Sequence, residues 1–460
     1  HGLELDQRCV ELAAFALAFV AWTYPGSSGY RKLPALHIAC SGQAIRIDDD
    51  ELRKLANDNS LLRHALADLK SKFQQAPILG SLIDPKKSIY HDELFALDWK
   101  EVGPLLASVL RRGQDDDLQE AGIVAQGLAK AAGLLAGTYH LVATNVPYLA
   151  RGKQNQELKD YCAKYHNEAK GDLATVFLDR CLQFCPKGGT TAIVMPQNWL
   201  FLTSYTSFRK TLVKEKTLNL VARLGVKSFQ TPMWDFNVQL FVASNEFLVD
   251  QRYQISGIDV SDAKAVEEKA MGLIEEEIKR VGQNEQLMNP DARITIDSSG
   301  SKKLLLEYSD AYCGLGSGDY PRYGMFFWEI NIENHDWIFQ LSTVSQNVFF
   351  GGREHVLKWE NGSGAMVNSP GAYIRGTQIW GKGGVHVSQM GSLPVTLFCG
   401  ECWDSNSSPI IPRSVKNLPA IWCFCSSLEY NEAVRQIDQK LNVTNARANF
   451  KMPFEEPILA

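Results

Sequence analysis

The stretch Tyr139-His140-Leu141-Val142-Ala143-Thr144-Asn145-Val146-Pro147-Tyr148 decides how the chain is organised. Its first part, Tyr139 to Thr144, is typical of a short buried strand. An amphipathic pattern from Leu173 to Cys185 then predicts a helix, which Pro186-Lys187-Gly188-Gly189 ends, and Thr190 to Met195 predicts a second buried strand. Strands that alternate with helices indicate a parallel sheet covered on both faces, so the predicted fold class is α/β.

Further elements extend this pattern on both sides. Leu218 to Leu224 and Val238 to Ala243 read as additional strands, and Ser204 to Glu215 reads as a helix with a basic face. Residues 1–6 look like the end of a buried strand, and Leu36 to Cys40 favours another short one. The alternation therefore continues well beyond the central stretch.

Three segments depart from the alternation. Residues 49–135 have helical character, with apolar stripes at helical spacing. Ala263 to Arg280 predicts a strongly charged helix that acts as a linker. Beyond about residue 310, glycines, aromatics and short β-like runs such as Val367 to Ile374 and Pro394 to Cys399 indicate a second, mixed domain.

The longest apolar run, Leu12 to Trp22, is too short to span a bilayer, which needs about 20 residues. The sequence therefore predicts a buried helix there and no membrane association. No signal peptide is visible at the beginning of the chain. Because His1 is not a start methionine and residues 1–6 read like the middle of a fold, the chain is interpreted as a fragment or a processed chain.

Composition excludes several classes of protein. With 45% apolar and 22% charged residues among 460, the chain is not disordered, collagenous or a disulfide scaffold. Its net charge of −5 means that any phosphate-binding surface must be local. Most of the ten cysteines stand in apolar context, which favours reduced thiols and a cytoplasmic location.

The residues after the first strand suggest chemistry on an amine. An aromatic exocyclic amine is a poor nucleophile because its lone pair is delocalised into the ring. Two acceptors that hold its two N–H groups would shift the nitrogen toward tetrahedral geometry and free the lone pair. The side-chain amide oxygen of Asn145 and the backbone carbonyl of Val146 could supply both acceptors. Taken alone, however, Asn-x-Pro-Tyr is more often a simple turn.

Asn145-Val146-Pro147-Tyr148 resembles the Asn-Pro-Pro-Tyr signature of the N6-adenine branch of the class I methyltransferases. Val146 stands where the family has its first proline, which removes rigidity but leaves the carbonyl. The resemblance implies a Rossmann-like class I sheet with a helical insertion, and S-adenosylmethionine as the methyl donor. It makes these four residues catalytic. Tyr148 would stack on a flipped adenine, and Phe229 would form the second aromatic wall.

Several residues follow from the same resemblance as cofactor contacts. Glu4 would bind the ribose hydroxyls, whereas Asp6 either assists or caps the following helix. Phe177, and with it Asp172, would line the adenine pocket, although without the resemblance Phe177 reads as a core aromatic. The glycine-rich first motif of the family would lie upstream of residue 1. The family usually has an acid after the third strand, which binds the adenine amine of the cofactor. No acid follows Leu36 to Cys40 here, so Ser41 or the backbone would take that role.

The carboxyl-terminal part resembles the target-recognition domain of type IIG restriction-modification enzymes and of BREX (PglX-like) and DISARM phage-defence methylases. The resemblance rests on Cys313-Gly314-Leu315-Gly316-Ser317-Gly318-Asp319-Tyr320-Pro321-Arg322-Tyr323 and on the ending, Leu441 to Phe454. It implies a methyltransferase domain (1–250, with the insertion at about 49–135), a helical linker (251–309) and a mixed α+β recognition domain (310–460). Arg322, Arg375 and Lys382, which stand beside glycines and aromatics, would contact DNA. The alternative is a set of tight turns.

Two pairs of cysteines leave one further alternative open. Cys399, Cys402, Cys423 and Cys425 have spacings that zinc tolerates, but Ile421 to Cys425 reads as an apolar strand, which favours buried thiols and no metal.

Three functions fit these observations. The first is site-specific methylation of adenine N6 in double-stranded DNA, in a restriction-modification or phage-defence system with other subunits as further partners. The second is methylation of RNA or of a protein glutamine by the same kind of site. The third, motivated by Val146 and the missing third-strand acid, is a DNA-binding module that no longer catalyses.

Overall fold

The computed structural model describes residues 1–44, 48–56, 59–86, 116–230, 236–246, 252–296, 304–331 and 335–437, with Met452 and Phe454. The chain divides into two compact units. The first combines His1–Met195, Glu215–Asn219 and Leu240–Leu248; the second combines Pro196–Lys214, Leu220–Gln239 and Val249–Ala460. The predicted closing segment, 441–454, lies outside the described residues except for Met452 and Phe454.

The elements are numbered in chain order. The α-helices are α1 (Gln7–Thr23), α2 (Asp49–Ala56), α3 (Ser60–Lys72), α4 (Ala76–Leu79), α5 (Asp116–Leu135), α6 (Gln156–Tyr165), α7 (Leu173–Phe184), α8 (Thr206–Glu215), α9 (Val266–Glu275), α10 (Leu305–Tyr308), α11 (Tyr320–Tyr323), α12 (Leu418–Cys425) and α13 (Leu428–Ile437). The strands are β1 (Gly2–Glu4), β2 (Ile38–Cys40), β3 (Leu141–Asn145), β4 (Thr190–Pro196), β5 (Thr217–Gly225), β6 (Val238–Ser244), β7 (Gln254–Asp259), β8 (Lys279–Gly282), β9 (Ser309–Ala311), β10 (Gly324–Phe326), β11 (Trp337–Leu341), β12 (His355–Lys358), β13 (Gly384–Ser388), β14 (Val395–Phe398), β15 (Cys402–Trp403) and β16 (Ser407–Pro412).

The main sheet has the strand order β3-β4-β6-β5-β7-β8. β3 and β4 run parallel, with Asn145 opposite Val194. β5 and β7 are also parallel, whereas β8 pairs antiparallel with β7. β1 and β2 form a separate parallel pair. The prediction of a mixed α/β fold with parallel strands is therefore confirmed, and a strand is present in each of the predicted ranges 139–144, 190–195, 218–224 and 238–243.

Arg180, on α7, binds the helical segment that precedes β3 through hydrogen bonds and an ion pair. It is buried, and its guanidinium donates to the carbonyls of Ile83 and Leu135 at 2.9 and 3.2 Å. The same group forms an ion pair with Asp84 at 3.4 Å. The helical character predicted for 49–135 is confirmed by α2 to α5, within the part of that range that the structure describes.

Helix α1 corrects one prediction. The apolar run was expected to be a buried helix, and a helix does form, but this fully described element contains no buried residue. Leu12 and Phe15 are each 65% exposed. The apolar run was interpreted as a sign of burial. In the structure, α1 contacts β1 and β2, but these contacts bury none of its residues. Among the described helices, none combines the length and the apolar character that a membrane crossing needs.

The charged stretch after β6 also differs from the expected linker helix. Residues 254–282 form a strand, a ten-residue helix and a second strand, β7-α9-β8, and both strands join the main sheet. Helix α9 is shorter than the predicted 263–280 because Lys279 and Arg280 pair with β7. Charge alone suggested a solvated helix, whereas strand pairing determines the end of this segment.

Residues 305–437 contain two further sheets, ordered β10-β12-β11-β15 and β14-β13-β16-β9. The predicted strand at 394–399 is confirmed as β14, but 367–374 forms no strand and only bridges Gly316 through Tyr373. Ile421 to Cys425 lies in helix α12, so the strand predicted there was wrong. A short apolar run has no period that separates a buried helix from a buried strand.

His386 on β13 is a buried base without a partner. It is fully buried, and neither ring nitrogen has a hydrogen-bond partner among the described residues. Its ring stacks on Phe398, with centroids 6.2 Å apart. Burial, assisted by the charge of Arg353, lowers the pKa of His386 to about 3. The imidazole is therefore neutral in the folded chain at neutral pH.

We expect this histidine to make the protein less stable in acid. The unfolded chain takes up a proton near the ordinary pKa of about 6.5, whereas the folded chain resists until about pH 3. Stability is therefore full above pH 6.5 and falls by about 1.4 kcal/mol per pH unit between 6.5 and 3. Urea titrations at pH 8 and pH 5 measure how much the free energy of unfolding falls with pH. His386→Leu should show a smaller fall than the original chain, whereas His335→Gln, at an exposed position, should show the same fall. An equal fall for all three proteins would refute the assignment.

Candidate active site

The first candidate residue, Asn145, ends strand β3 at the carboxyl edge of the sheet. Asn145 is exposed, and the next residue, Val146, is only 4% exposed. The Val146 N–H continues the parallel ladder by donating to the Val194 carbonyl at 3.5 Å. The side-chain amide therefore stands free of the sheet while the backbone beside it is fixed.

The carbonyl of Val146 is the second expected acceptor, and the sequence leaves it free. The next bond of a parallel ladder would join this carbonyl to the amide two residues after Val194. That residue is Pro196, which has no N–H. No described residue donates a backbone hydrogen bond to the Val146 carbonyl. Pro196 thus preserves an acceptor at the candidate site.

Tyr148 lies next to the acceptor of Asn145. Its hydroxyl donates to Asn145 Oδ1 at 3.2 Å. Burial, followed by the negative charge of Asp172, raises the pKa of Tyr148 to about 12. The hydroxyl consequently stays protonated at neutral pH and remains a donor. In the absence of a substrate, it therefore satisfies the Asn145 side-chain oxygen.

Asp172 fixes the segment that follows Asn145. Its carboxylate caps α7 by accepting from the Ala174 N–H at 2.9 Å, and it also accepts from the Leu149 N–H at 3.4 Å. Ala150 and Asp172 form an antiparallel bridge, and the Leu173 N–H donates to the Leu149 carbonyl at 3.0 Å. Burial raises the pKa of Asp172, although the two backbone hydrogen bonds oppose that shift. Asp172 was assigned above to the cofactor. It thus also positions residues 145–150, the candidate catalytic loop.

Replacing Asp172 tests this positioning role. Asp172→Ala removes the helix cap and the Leu149 acceptor, so we expect a loss of about 1 kcal/mol in stability. We also expect a roughly tenfold lower transfer rate, because a displaced loop misaligns Asn145. Asp172→Asn keeps a carbonyl acceptor and should restore both. Urea titration and initial rates of methyl transfer measure the two effects. A rate unchanged in the alanine variant, or a failure of the asparagine variant to restore it, would exclude the role.

The predicted cofactor residues of the first unit differ in what they offer. Glu4 is exposed at the end of β1. Among the described residues, its carboxylate accepts only from the adjacent Leu5 N–H, at 2.8 Å, so acceptor capacity remains open. Asp6 caps α1 by accepting from Arg8, which agrees with the alternative reading. The Ser41 side chain is fully buried, and its hydroxyl contacts the Glu4 carbonyl and Ser81. Phe177 is half-buried on α7.

The remaining predicted residues lie in the second unit. Phe229 is half-buried in the segment after β5. Arg322 and Arg375 are exposed, with guanidinium groups 5.2 and 4.8 Å from the rings of Tyr323 and Tyr373, and Lys382 is exposed. No contact of the described residues tests their assignment to DNA, which stays a prediction.

A buried polar network after β4 was not anticipated from sequence. Arg223 is 4% exposed, forms an ion pair with Asp259 at 2.9 Å and donates to Gln197 at 3.3 Å. Its guanidinium also lies 5.5 Å from the ring of Phe201. An arginine inside a predicted apolar strand is the signal that could have revealed it, because buried arginines require partners.

The cysteines offer no metal set among the described residues. Cys402 and Cys425 are buried, whereas Cys399 and Cys423 are exposed. The described part of the chain contains no cluster of three or more histidine, cysteine or acidic side chains arranged to hold a metal ion.

Residues 1–229 match the family described as Eco57I restriction-modification methylase. The matched range contains Asn145, Tyr148 and Asp172. The resemblance to restriction-modification and BREX-type methylases is thereby confirmed.

Two curated relatives are similar over part of the chain. The adenine-specific methyltransferase PglX of Lacticaseibacillus casei (strain Zhang) is 26% identical over 230 residues, 50% of this chain and 18% of that protein. The adenine-specific methyltransferase BrxX of Escherichia coli O9:H4 (strain HS) is 29% identical over 177 residues, 38% of this chain and 14% of that protein. The matched region thus spans less than a fifth of either relative.

Solved structures include one that covers most of the chain. The type IIL restriction-modification enzyme MmeI, in complex with DNA, is 11% identical, with 88% of this chain and 64% of that chain covered and a TM-score of 0.44. A likeness at this level does not by itself establish a shared arrangement.

Proposed function

We propose that the chain carries the catalytic machinery of a site-specific DNA adenine-N6 methyltransferase that uses S-adenosylmethionine, in a restriction-modification or phage-defence system. The observation that carries the proposal is the pair of acceptors, Asn145 Oδ1 and the Val146 carbonyl, at the end of β3. Two relatives described as adenine-specific methyltransferases support it.

The chemistry asked of this chain is mainly positioning. Asn145 and the Val146 carbonyl would each accept one N–H of the adenine amine, so that the nitrogen lone pair points out of the ring plane. Tyr148 would give up its hydrogen bond to Asn145 and contact the base with its ring. The nitrogen lone pair would then be available to accept a methyl group, and the surplus amine proton would pass to water. No side chain with an unusual pKa is needed as a base.

Glu4 and Phe177 fit the proposed cofactor. Glu4 has an exposed carboxylate with open acceptor capacity, as ribose hydroxyls require. Phe177, which is half-buried, would contact the adenine ring. When bound, S-adenosylmethionine supplies an electrophilic methyl group. Ser41, by contrast, is buried and hydrogen-bonded within the protein, so we propose no direct contact for it.

The finer architecture is part of the proposal. The strand order β3-β4-β6-β5 supports a Rossmann-like class I methyltransferase sheet. We propose that residues 1–250 form the methyltransferase domain and residues 310–460 a target-recognition domain, in which Arg322, Arg375 and Lys382 contact DNA phosphates. Methylation of chromosomal DNA would take place in the cytoplasm.

The test is to express the gene that encodes this chain in a bacterial host without adenine methylation. Direct sequencing of the genome should reveal N6-methyladenine at one short sequence motif, and an empty vector should give none. If the folded protein binds S-adenosylmethionine but methylates only RNA or a protein glutamine, the substrate class is wrong. If it binds the cofactor and DNA and methylates nothing, the chain is a DNA-binding module without catalysis.

A further inference from the structure

The second unit contains a cavity built from residues outside the candidate active site. Its volume is about 440 Å³, within the range of small-molecule sites. The side chains that line it include Tyr320, Gln340, His355, Tyr373 and Asp404. Backbone of two glycine-rich segments completes the wall.

Two glycine-rich segments, residues 313–318 and 371–376, meet at this cavity. Gly316 and Tyr373 form an antiparallel bridge with hydrogen bonds of 3.0 and 2.9 Å. A Cβ on Gly316 would lie 2.4 Å from the Tyr373 ring, and one on Gly318 would lie 2.5 Å from the Gly371 backbone. Only glycine allows these approaches. The segments are therefore shaped to form a wall, which a set of independent turns would not require.

Tyr320 forms a second aromatic part of the wall. A Cβ on Gly324 would lie 2.4 Å from its ring, so this ring too is seated on a glycine. The Tyr320 hydroxyl and His355 Nδ1 are 2.8 Å apart, which fixes the ring in place. Both tyrosine rings remain about two fifths exposed.

Gln340 brings an amide to the wall of the cavity. It lies on β11 opposite His355 on β12, so the two side chains share one face of the sheet. Gln340 is 3% exposed and lines the cavity together with His355. A side-chain amide offers one donor group and one acceptor side by side.

Charge narrows the class of ligand. The described lining contains the carboxylate of Asp404 and no lysine or arginine, so a bare anion is disfavoured inside. Asp404 is held by Ser342 and Ser407 at 3.1 and 3.0 Å. A cation stands beside the cavity instead, because Arg375 lies over the Tyr373 ring at 4.8 Å. A neutral, planar, hydrogen-bonding group attached to a phosphate suits this arrangement.

We propose that this cavity binds a nucleobase, with Gln340 hydrogen-bonded to its edge, Tyr320 and Tyr373 against its ring, and Arg375 near its phosphate. The paired donor and acceptor of the Gln340 amide match a base edge. Aromatic walls bind unstacked bases irrespective of sequence. The base comes either from a free nucleotide or from an unstacked position in DNA. This site is independent of methyl transfer at Asn145.

The experiment measures binding of the full chain to two probes. Calorimetry with the four nucleoside 5′-monophosphates tests the free source, and fluorescence anisotropy with short single-stranded homopolymers tests the DNA source. We expect binding to at least one probe, weakened about tenfold or more by Gln340→Leu and by Tyr373→Ala. Tyr373→Phe, which keeps the ring, and Ser207→Ala, at an exposed position outside both sites, should bind like the original chain.

Each outcome bears on the proposal. Loss of monophosphate binding in the Gln340 and Tyr373 variants identifies a free nucleotide, and loss of strand binding alone identifies a base in DNA. Tyr373 is partly exposed, so its variant remains informative if Gln340→Leu fails to fold. Equal binding by all variants, or no binding of either probe, overturns the proposal. Because the binding assays require no methyl transfer, failure of the proposed methylation would be recognised separately.

Discussion

Asn145→Ala should lower the rate of methyl transfer to adenine by about 10²- to 10³-fold, the effect seen when one preorganised hydrogen-bonding group is removed from an active site. The amide oxygen of Asn145 is exposed at the end of β3 and is contacted by the Tyr148 hydroxyl. Alanine removes one of the two acceptors for the amine, and the lone pair stays in the ring. Initial rates with tritiated S-adenosylmethionine and DNA containing the target sequence measure the change.

Tyr148→Phe is the matched control for Asn145. It keeps the ring and removes the hydroxyl that occupies the Asn145 oxygen in the free site. We expect less than a tenfold change in rate, because the two acceptors remain. Asn145→Ala should leave stability within about 0.5 kcal/mol, since the side chain is exposed. An alanine variant that retains its rate within threefold would remove Asn145 from the chemistry.

Arg209→Met should destabilise the protein by about 3 kcal/mol or more. Arg209 is fully buried on α8 and donates to the carbonyls of Ala292, Trp199, Leu202 and Asp291. Methionine fills similar space but leaves these carbonyls without their donor, and each buried unpaired polar group costs about 1–3 kcal/mol. Burial lowers the pKa of Arg209 to about 10, so the guanidinium is charged at neutral pH.

Urea titration with two further variants isolates the cause. Arg209→Lys keeps the charge but cannot span as many carbonyls, so its loss should be intermediate. Lys210→Met, at the exposed neighbouring position, should change stability by no more than about 0.5 kcal/mol. A loss below about 1 kcal/mol for Arg209→Met would show that water replaces the guanidinium easily.

The parts of the fold that sequence predicted well are those governed by local periodicity. Strands β3 and β4 and helix α7 lie close to their predicted bounds, because each carries its own pattern and a glycine turn separates α7 from β4. Gly188, with φ of 80°, provides that turn. Asn145 at the strand end follows from the same local reading.

What sequence could not reveal depends on tertiary contacts. Residues 204–215 were predicted to form a helix with a basic face, and Arg209 was counted as part of that exposed face. In the structure its guanidinium instead donates to buried backbone carbonyls, which a count of charges in the sequence does not reveal. The linker helix became β7-α9-β8, since strand pairing outweighed helix propensity. Asp172 was assigned to the cofactor by position in a motif, and its bond to Leu149 joins residues 23 positions apart. Gln340 had no sequence signal.

The hydrogen bond between Tyr148 and Asn145 has a consequence for turnover. An unmethylated adenine brings two N–H groups, enough to satisfy both Asn145 and the Val146 carbonyl after the Tyr148 hydroxyl withdraws. The methylated product retains one N–H, so one acceptor is left open. The nearby hydroxyl, which stays protonated because the pKa of Tyr148 is about 12, can return to Asn145 at once. If Asn145 and the Val146 carbonyl hold the amine as proposed, we expect the resting contact to favour product release and to disfavour rebinding of methylated DNA.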